Sequence, residues 1–272
     1  MNVSRLRKHA ERLLALHHGS VPLVLPNCWD AASARLFEAE GFPAAATGSA
    51  GVAFSLGYAD HQHIPVGEMM AAIARIARCI EVPLTADVEA GYGNPGETAR
   101  ALLEAGAVGL NLEDFDEELI PIDKQCASIR EVRKAGDAFG IHLVINARVD
   151  IFINQLGDPE TRLERTIERM RAYAEAGADC LFVPFVTAEE TIAKLVAATS
   201  LPLNIIATAG APPISRLTAL GVRRVSMGSG PMRATMGLAR RIAIELRDQG
   251  TYEAMMDGAV PYADANKLFI CP

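Results

Sequence analysis

The stretch VPLTADVEAGYGNPGETA, residues 82–99, decides how this chain is read. It opens as a short apolar run suited to a buried strand. Asp87 and Glu89 follow two positions apart, Gly91-Tyr92-Gly93 makes a turn, and the pattern restarts as a helix. Buried carboxylates are costly unless they are paired, hydrogen-bonded or metal-bound. The stretch therefore poses a question about fold and a question about chemistry.

The fold question is answered by repetition. Further strand candidates are PLVLPN (22–27), AAATGS (44–49), VGLNLED (108–114), HLVINARVD (142–150), DCLFVPF (179–185), PLNIIAT (202–208) and VRRVSMG (222–228). Helical stretches such as DAASARLFEAEG, PGETARALLEAGA and PETRLERTIERMRAYAEAGA lie between them, and several end in Gly just before the next strand, a C-cap signal. Strict alternation of strand and helix implies a parallel sheet. About eight such units in about 250 residues is the size of a (β/α)8 TIM barrel, an α/β fold. A doubly wound open sheet is the alternative. The barrel is preferred because strands are spread along the whole chain and no dinucleotide fingerprint follows the first one. GYGNPG lacks the G-x-G-x-x-G spacing and follows acids that would repel a pyrophosphate. The expected organisation is one barrel domain over residues 1–272, with an N-terminal helix and a C-terminal helical extension.

Composition narrows the class. Half of the 272 residues are hydrophobic and 22% are charged, as in an ordinary soluble globular chain. The net charge of −7 argues against phosphate-backbone binding, so no nucleic acid partner is expected. No run approaches the ~18 apolar residues of a membrane span. The start, MNVSRLRKHAERLLALHHG, reads as an amphipathic helix and not as a secretory signal. Cys28, Cys79, Cys126, Cys180 and Cys271 are widely spaced without a C-x-x-C, which points to a reducing cytoplasm and against a disulfide framework.

In a barrel the site lies at the C-terminal strand ends. Those ends offer Asn27, Cys28 and Trp29; Thr47, Gly48 and Ser49; Asp87 and Glu89; Glu113 and Asp114; Asn146, Arg148 and Asp150; Asn204 and Thr208; Ser226 and Gly228. Any one of these could simply cap the next helix. Four acids from the third and fourth strands are harder to dismiss, since they repel one another unless a cation sits among them. All-oxygen ligands favour Mg²⁺ or Mn²⁺ over zinc, and Mg²⁺ keeps several waters, so one carboxylate is expected to bind directly. Asp87 and Glu89 face the same side if Glu89 still belongs to the strand. Arg148 lies in VINARVD, a run otherwise suited to burial, and needs a partner: Asp150, a strand-four acid, or a substrate carboxylate.

Other features weigh less. TGSAGVAF (47–54) supplies backbone N–H groups that could cradle an anion or simply pack closely. No lysine lies at a strand end, although Lys124 is in or beside the fourth loop, so a Schiff-base aldolase is disfavoured. His61 and His63 form an H-x-H pair that could begin a zinc site in a hydrolase barrel, but no further histidine sits at a strand end. SMGSGPMRA (226–234) could hold a phosphate at a helix N-terminus or be a plain helix start.

TADVEAGYGN resembles the D-x-D-x-G-Y-G strand-three motif of the isocitrate lyase/phosphoenolpyruvate mutase superfamily. GLNLED is similar to its strand-four Glu-Asp, NARVD to its strand-five arginine, and TGSAG with SLGYAD to its strand-two substrate loop and the acid that ends it. The resemblance spans about residues 20 to 230. It implies a barrel whose helix near the C-terminus swaps between subunits, with dimers pairing into a homotetramer. It implies a small 2-oxo acid chelated by Mg²⁺, and metal residues Asp87, Glu89 and Glu113, the latter two through water. It assigns substrate contacts to Thr47, Ser49, Ala50, Gly51, Asp87, Arg148 and Asn204, and catalytic roles to Arg148, Glu113 and Asp60.

The chain also departs from that family. The lyases' K-K-C-G-H loop after strand four is replaced by DFDEELIPIDKQCAS, where Cys126 reads as part of a helix. The mutase's loop lysine and asparagine have no clear match, the lyases' strand-six glutamate falls near Phe185, and Glu89 stands where aspartate is usual. The leading expectation is a Mg²⁺-dependent lyase that breaks a C–C bond in a small 2-oxo acid, or in a substrate that forms one, through a metal-stabilised enolate. The alternatives are C–P chemistry of the phosphonopyruvate hydrolase or phosphoenolpyruvate mutase type, a non-catalytic 2-oxo acid binding protein, and a zinc amidohydrolase using His61 and His63.

Overall fold

The computed structural model describes residues 2–270, so Cys271 lies outside the described residues. The chain opens with α1 (Val3–His17), started by Asn2, whose side chain accepts the Arg5 N–H at 3.1 Å. Its buried stripe is Leu6, Ala10, Leu13 and His17, a helical spacing. Strands and helices then alternate: β1 (Leu23–Leu25), β2 (Asn27–Cys28), α2 (Ala31–Ala39), β3 (Ala45–Thr47), α3 (Ser49–Ser55), α4 (Val66–Ala77), β4 (Leu84–Asp87), α5 (Pro95–Ala105) and β5 (Gly109–Glu113). A small antiparallel hairpin, β6 (Phe115–Asp116) and β7 (Glu118–Leu119), fills the loop after β5. The chain continues through α6 (Ile122–Ala138), β8 (Val144–Arg148), α7 (Arg162–Ala176), β9 (Cys180–Phe182), α8 (Glu189–Ala197), β10 (Leu203–Ile206), α9 (Ile214–Ala219) and β11 (Arg224–Ser226). It closes with α10 (Gly230–Asp248), α11 (Glu253–Met256) and α12 (Tyr262–Lys267).

Nine parallel strands form one sheet in the order β1-β11-β10-β9-β8-β5-β4-β3-β2. The sheet curls into a nearly closed barrel, as the alternation predicts. Pro26 explains why nine strands replace eight. It has no N–H to give the ladder, so the first strand breaks in two. Leu23–Leu25 pairs with β11, and Asn27–Cys28 pairs with β3. The two halves of one strand therefore meet both neighbours and close the seam.

The strand residues are buried on both faces, which explains their continuous apolar runs. The C-cap glycines read from EAGA are real: Gly106 and Gly177 adopt φ +103° and +110°, left-handed values that stop α5 and α7. α1 packs against the barrel beneath β5. A Cβ on Gly109 would lie 2.7 Å from Leu13 Cδ2 and 2.9 Å from Thr85 Oγ1, so only glycine lets the helix approach this closely. By contrast α10 buries none of its side chains, and Met236, Ile244 and Leu246 are exposed along it.

Candidate active site

The mouth of the barrel is organised around the end of β4. The Asp87 N–H donates to Thr47 Oγ1 at 3.1 Å, and Ser49 Oγ donates to Asp87 Oδ2 at 3.3 Å. Thr47 thus fixes the strand end while Ser49 reaches the carboxylate. The strand stops at Asp87, so the condition for Glu89 to share its face by strand periodicity is not met. Glu89 takes φ +52° in the left-handed region, and it is the turn that carries it back toward Asp87. Its Oε2 accepts the Gln62 N–H at 2.7 Å, and its Oε1 accepts the Tyr92 hydroxyl at 3.4 Å. Gln62 Oε1 accepts the Tyr92 N–H at 2.7 Å, and Gln62 Nε2 donates to Asp116 Oδ1 at 2.9 Å. One glutamine therefore ties three loops together. In the GYG turn, Gly91 is required: a Cβ there would stand 2.8 Å from Pro95 Cγ, with φ at +91°.

Asp87, Glu89 and Glu113 are all buried. Burial is the main force raising each carboxyl above its ordinary range, opposed by Arg148 at Asp87 and Glu113. Glu89 is pushed up to about 7, by burial first and then by the charges of Asp87 and Asp60. Asp60 adds a buried carboxylate oxygen, Oδ1, with no hydrogen-bond partner. Mutually repelling acids, an orphaned carboxylate oxygen and an all-oxygen donor set fit a hard divalent cation. Among the described residues no three His, Cys, Asp or Glu side chains are placed to hold a metal ion together, and Mg²⁺ needs fewer protein ligands because it retains waters.

Arg148, at the end of β8, answers its partner question twice. Its Nε and Nη2 donate to Asp150 at 2.5 and 2.8 Å, and Nη1 pairs with Glu113 on the adjoining strand. The guanidinium also lies over the Phe182 ring, 5.9 Å from the centroid. Three of its five N–H donors are engaged, which leaves one on each terminal nitrogen for a ligand.

The remaining predicted residues divide. Ser49, Ala50 and Gly51 form the first turn of α3, where backbone N–H groups have no intrahelical acceptor. Asn204 is corrected: it sits inside β10, two residues before the strand ends, and its amide is committed to Ser226 Oγ at 3.3 Å. Cys126 is buried in α6 with its thiol toward the Ala172 carbonyl, and Lys124 points to solvent from the same helix. His61 and His63 lie exposed on the loop before α4. Phe185 is half-exposed with φ +62°, at the edge of a cavity of about 490 Å³ that it shares with Ile206, Thr208, Met227 and Arg233. That cavity adjoins the ends of β9, β10 and β11, opposite the acids. Asn27 Oδ1 closes the ring by accepting the Met227 and Gly228 N–H groups at 2.7 and 2.8 Å.

Sequence reasoning misses Arg169, Tyr173, Gln62, His17 and Arg224. Arg224 alone left a signal, a charged residue inside a short apolar strand.

Acids on two adjoining strands of a parallel barrel thus face a forked arginine on the next, a constellation that can hold an anionic ligand beside a cation. The phosphoenolpyruvate phosphomutase family model matches residues 13–247, and the chain belongs to that family, within the isocitrate lyase/phosphoenolpyruvate mutase superfamily. A Burkholderia cenocepacia structure provisionally described as a lyase or mutase is 36% identical, with 98% of each chain covered and a TM-score of 0.91. An oxaloacetate decarboxylase of a Bradyrhizobium species is 31% identical over 255 residues, covering 90% of this chain and 82% of its own. The structure of an oxaloacetate acetylhydrolase in complex with its product oxalate is 25% identical, covers 96% of this chain and 93% of its own, and has a TM-score of 0.84.

Proposed function

We propose that this protein is a Mg²⁺-dependent lyase that breaks a C–C bond in a small 2-oxo acid of the oxaloacetate class. The observation that carries the reading is the convergence of Asp87, Glu89 and Glu113 with Arg148 at one barrel mouth. The relatives named for oxaloacetate chemistry support the substrate class.

Asp87 would hold the cation directly, with Glu89 and Glu113 reaching it through water and Asp60 supporting them. Mg²⁺, or Mn²⁺, held there would supply Lewis acidity toward the substrate's oxygens. The two uncommitted N–H groups of Arg148 orient a substrate carboxylate. The Ser49 hydroxyl and the first-turn N–H groups of α3 offer further donors. The β6–β7 hairpin excludes water from the mouth, and the cavity beside Phe185 takes the rest of the substrate.

The exposed apolar residues of α10 support a homo-oligomer in which a second copy covers this helix, the swapped arrangement that the family resemblance implies. No helix among the described residues is long and apolar enough to cross a membrane. Cys28, Cys79, Cys126 and Cys180 are free thiols, consistent with a cytoplasmic location.

A turnover screen over oxaloacetate, 2-methylisocitrate and phosphonopyruvate, with and without a chelator, tests the proposal. The expected result is Mg²⁺-dependent cleavage of a 2-oxo acid, reduced at least about 100-fold by Asp87→Ala. Full activity in that variant, or turnover that ignores the chelator, sinks the reading. Phosphate release from phosphonopyruvate alone would put C–P chemistry in its place.

A further inference from the structure

We infer that Arg169, on α7, is a positioning residue that couples the substrate-gripping arginine to the hairpin loop after β5. The inference rests on the reading of Arg148 as the group that holds a substrate carboxylate.

Arg148 can present its two uncommitted N–H groups in one direction only while Asp150 holds its other edge. Asp150 lies beyond the end of β8, outside the ladder, so something else must fix it. Its backbone N–H donates to Asp114 Oδ1 at 2.8 Å. Asp114 is fully buried, and its second oxygen accepts from Arg169 Nη1 at 2.9 Å and from the Tyr173 hydroxyl at 2.7 Å. A chain of close contacts therefore runs from Arg169 through Asp114 and Asp150 to Arg148.

The same guanidinium nitrogen reaches the loop. Arg169 Nη1 donates to the Ile120 carbonyl at 2.9 Å. Ile120 returns its own N–H to the Asp114 carbonyl at 2.8 Å, so Asp114 and Ile120 form the closed base of the β6–β7 hairpin. The tip of that hairpin carries Asp116, bonded to Gln62, whose backbone N–H holds Glu89. Displacement of the loop therefore pulls on Arg169 at one end and on the Glu89 turn at the other.

Charge explains why a neutral brace would not serve. Asp114, Asp150 and Glu113 are buried within one contact network, with Arg148 and Arg169 as its cations. Asp150 and Asp114 repel each other. Removal of Arg169 leaves that repulsion at the point where Asp150 must stay still. Both bonds come from Nη1, whose N–H directions the planar guanidinium fixes, whereas a lysine ammonium is a strongly hydrated, freely rotating point charge on a different stem.

The test uses the full chain with Mg²⁺, comparing wild type, Arg169→Lys and Tyr173→Phe. Steady-state turnover of oxaloacetate and calorimetric binding of oxalate are measured together with thermal unfolding. Arg169→Lys is expected to raise both the oxaloacetate KM and the oxalate Kd about tenfold, with a smaller effect on kcat. Tyr173→Phe moves both in the same direction by about threefold. Oxalate is expected to protect residues 115–121 from limited proteolysis in the wild type and to lose that protection in Arg169→Lys. A folded Arg169→Lys with wild-type KM and Kd overturns the inference. If that variant does not fold, an unchanged KM and Kd in Tyr173→Phe overturns it instead. Arg148→Gln separates the two failures. If it binds oxalate as tightly as wild type, the functional reading falls and this inference with it. If it binds weakly while the α7 variants bind normally, only the coupling fails.

Discussion

Arg148 and Arg224 are both cations set into this barrel, and they are kept in opposite ways. Arg148, at the mouth, is held by the carboxylates of Glu113 and Asp150. Arg224 is fully buried and forms no ion pair among the described residues. Its Nη2 donates to Asn111 Oδ1 at 3.1 Å, and its Nη1 meets His17 Nε2 at 3.2 Å. Burial holds its pKa below the ordinary value, opposed by Cys180 and then by the more distant Asp87. The same side chain thus serves as one member of a charge network and as a lone cation solvated by neutral dipoles. The difference teaches where substitution is tolerable. Removing a cation from between two acids leaves uncompensated charge. Removing one from among neutral acceptors leaves only unfilled hydrogen bonds.

The largest expected effect sharpens that contrast. Arg148→Met strands Glu113 and Asp150 and should lower unfolding free energy by about 3–5 kcal/mol in denaturant titration, with loss of turnover. Arg224→Met orphans neutral partners while releasing the cost of a buried cation, so its loss should stay below about 2 kcal/mol and kcat/KM should change little. Equal destabilisation by the two substitutions would break the comparison.

The remaining expectation is a pH dependence at the partner of Arg224. His17 Nδ1 lies 2.8 Å from the Leu13 carbonyl, which fixes the proton there and leaves Nε2 to accept from Arg224. Burial, and then the Arg224 charge, lower the His17 pKa from 6.5 to about 3. The unfolded chain therefore takes up this proton first. Stability from this site is full above about pH 6.5 and falls as the pH drops toward about 3, by up to about 1.4 kcal/mol per pH unit. His17→Gln should flatten that share of the acid limb in unfolding curves taken from pH 7 to 4. Identical slopes in the two proteins would remove His17 from the account.

The barrel was legible because its signals are local. Apolar runs such as VGLNLED, and glycines such as Gly106 and Gly177, carry the strand–helix alternation in a few residues each. The acids at the ends of β4 and β5 could be read for the same reason: once the strands are placed, the fold dictates which end matters. Glu89 shows the limit, since its position depends on a left-handed backbone that the i, i+2 rule does not cover. Asn204 shows another, because the exact last residue of a short strand is not encoded in its hydrophobicity. Arg169 and Asp114 are 55 positions apart, and His17 and Arg224 are 207 apart. Pairings at that range leave no periodic trace.

The split at Pro26 has a consequence for synthesis. The barrel seam pairs Leu23 with Arg224, and Asn27 grips Met227 and Gly228. A nascent chain with its acids and Arg148 already outside the ribosome still has an open seam until the last strand emerges. Such long-range closure is slow, because the loop entropy is lost before the contacts form. Activity should therefore switch on late and all at once, after the two ends of the chain have met.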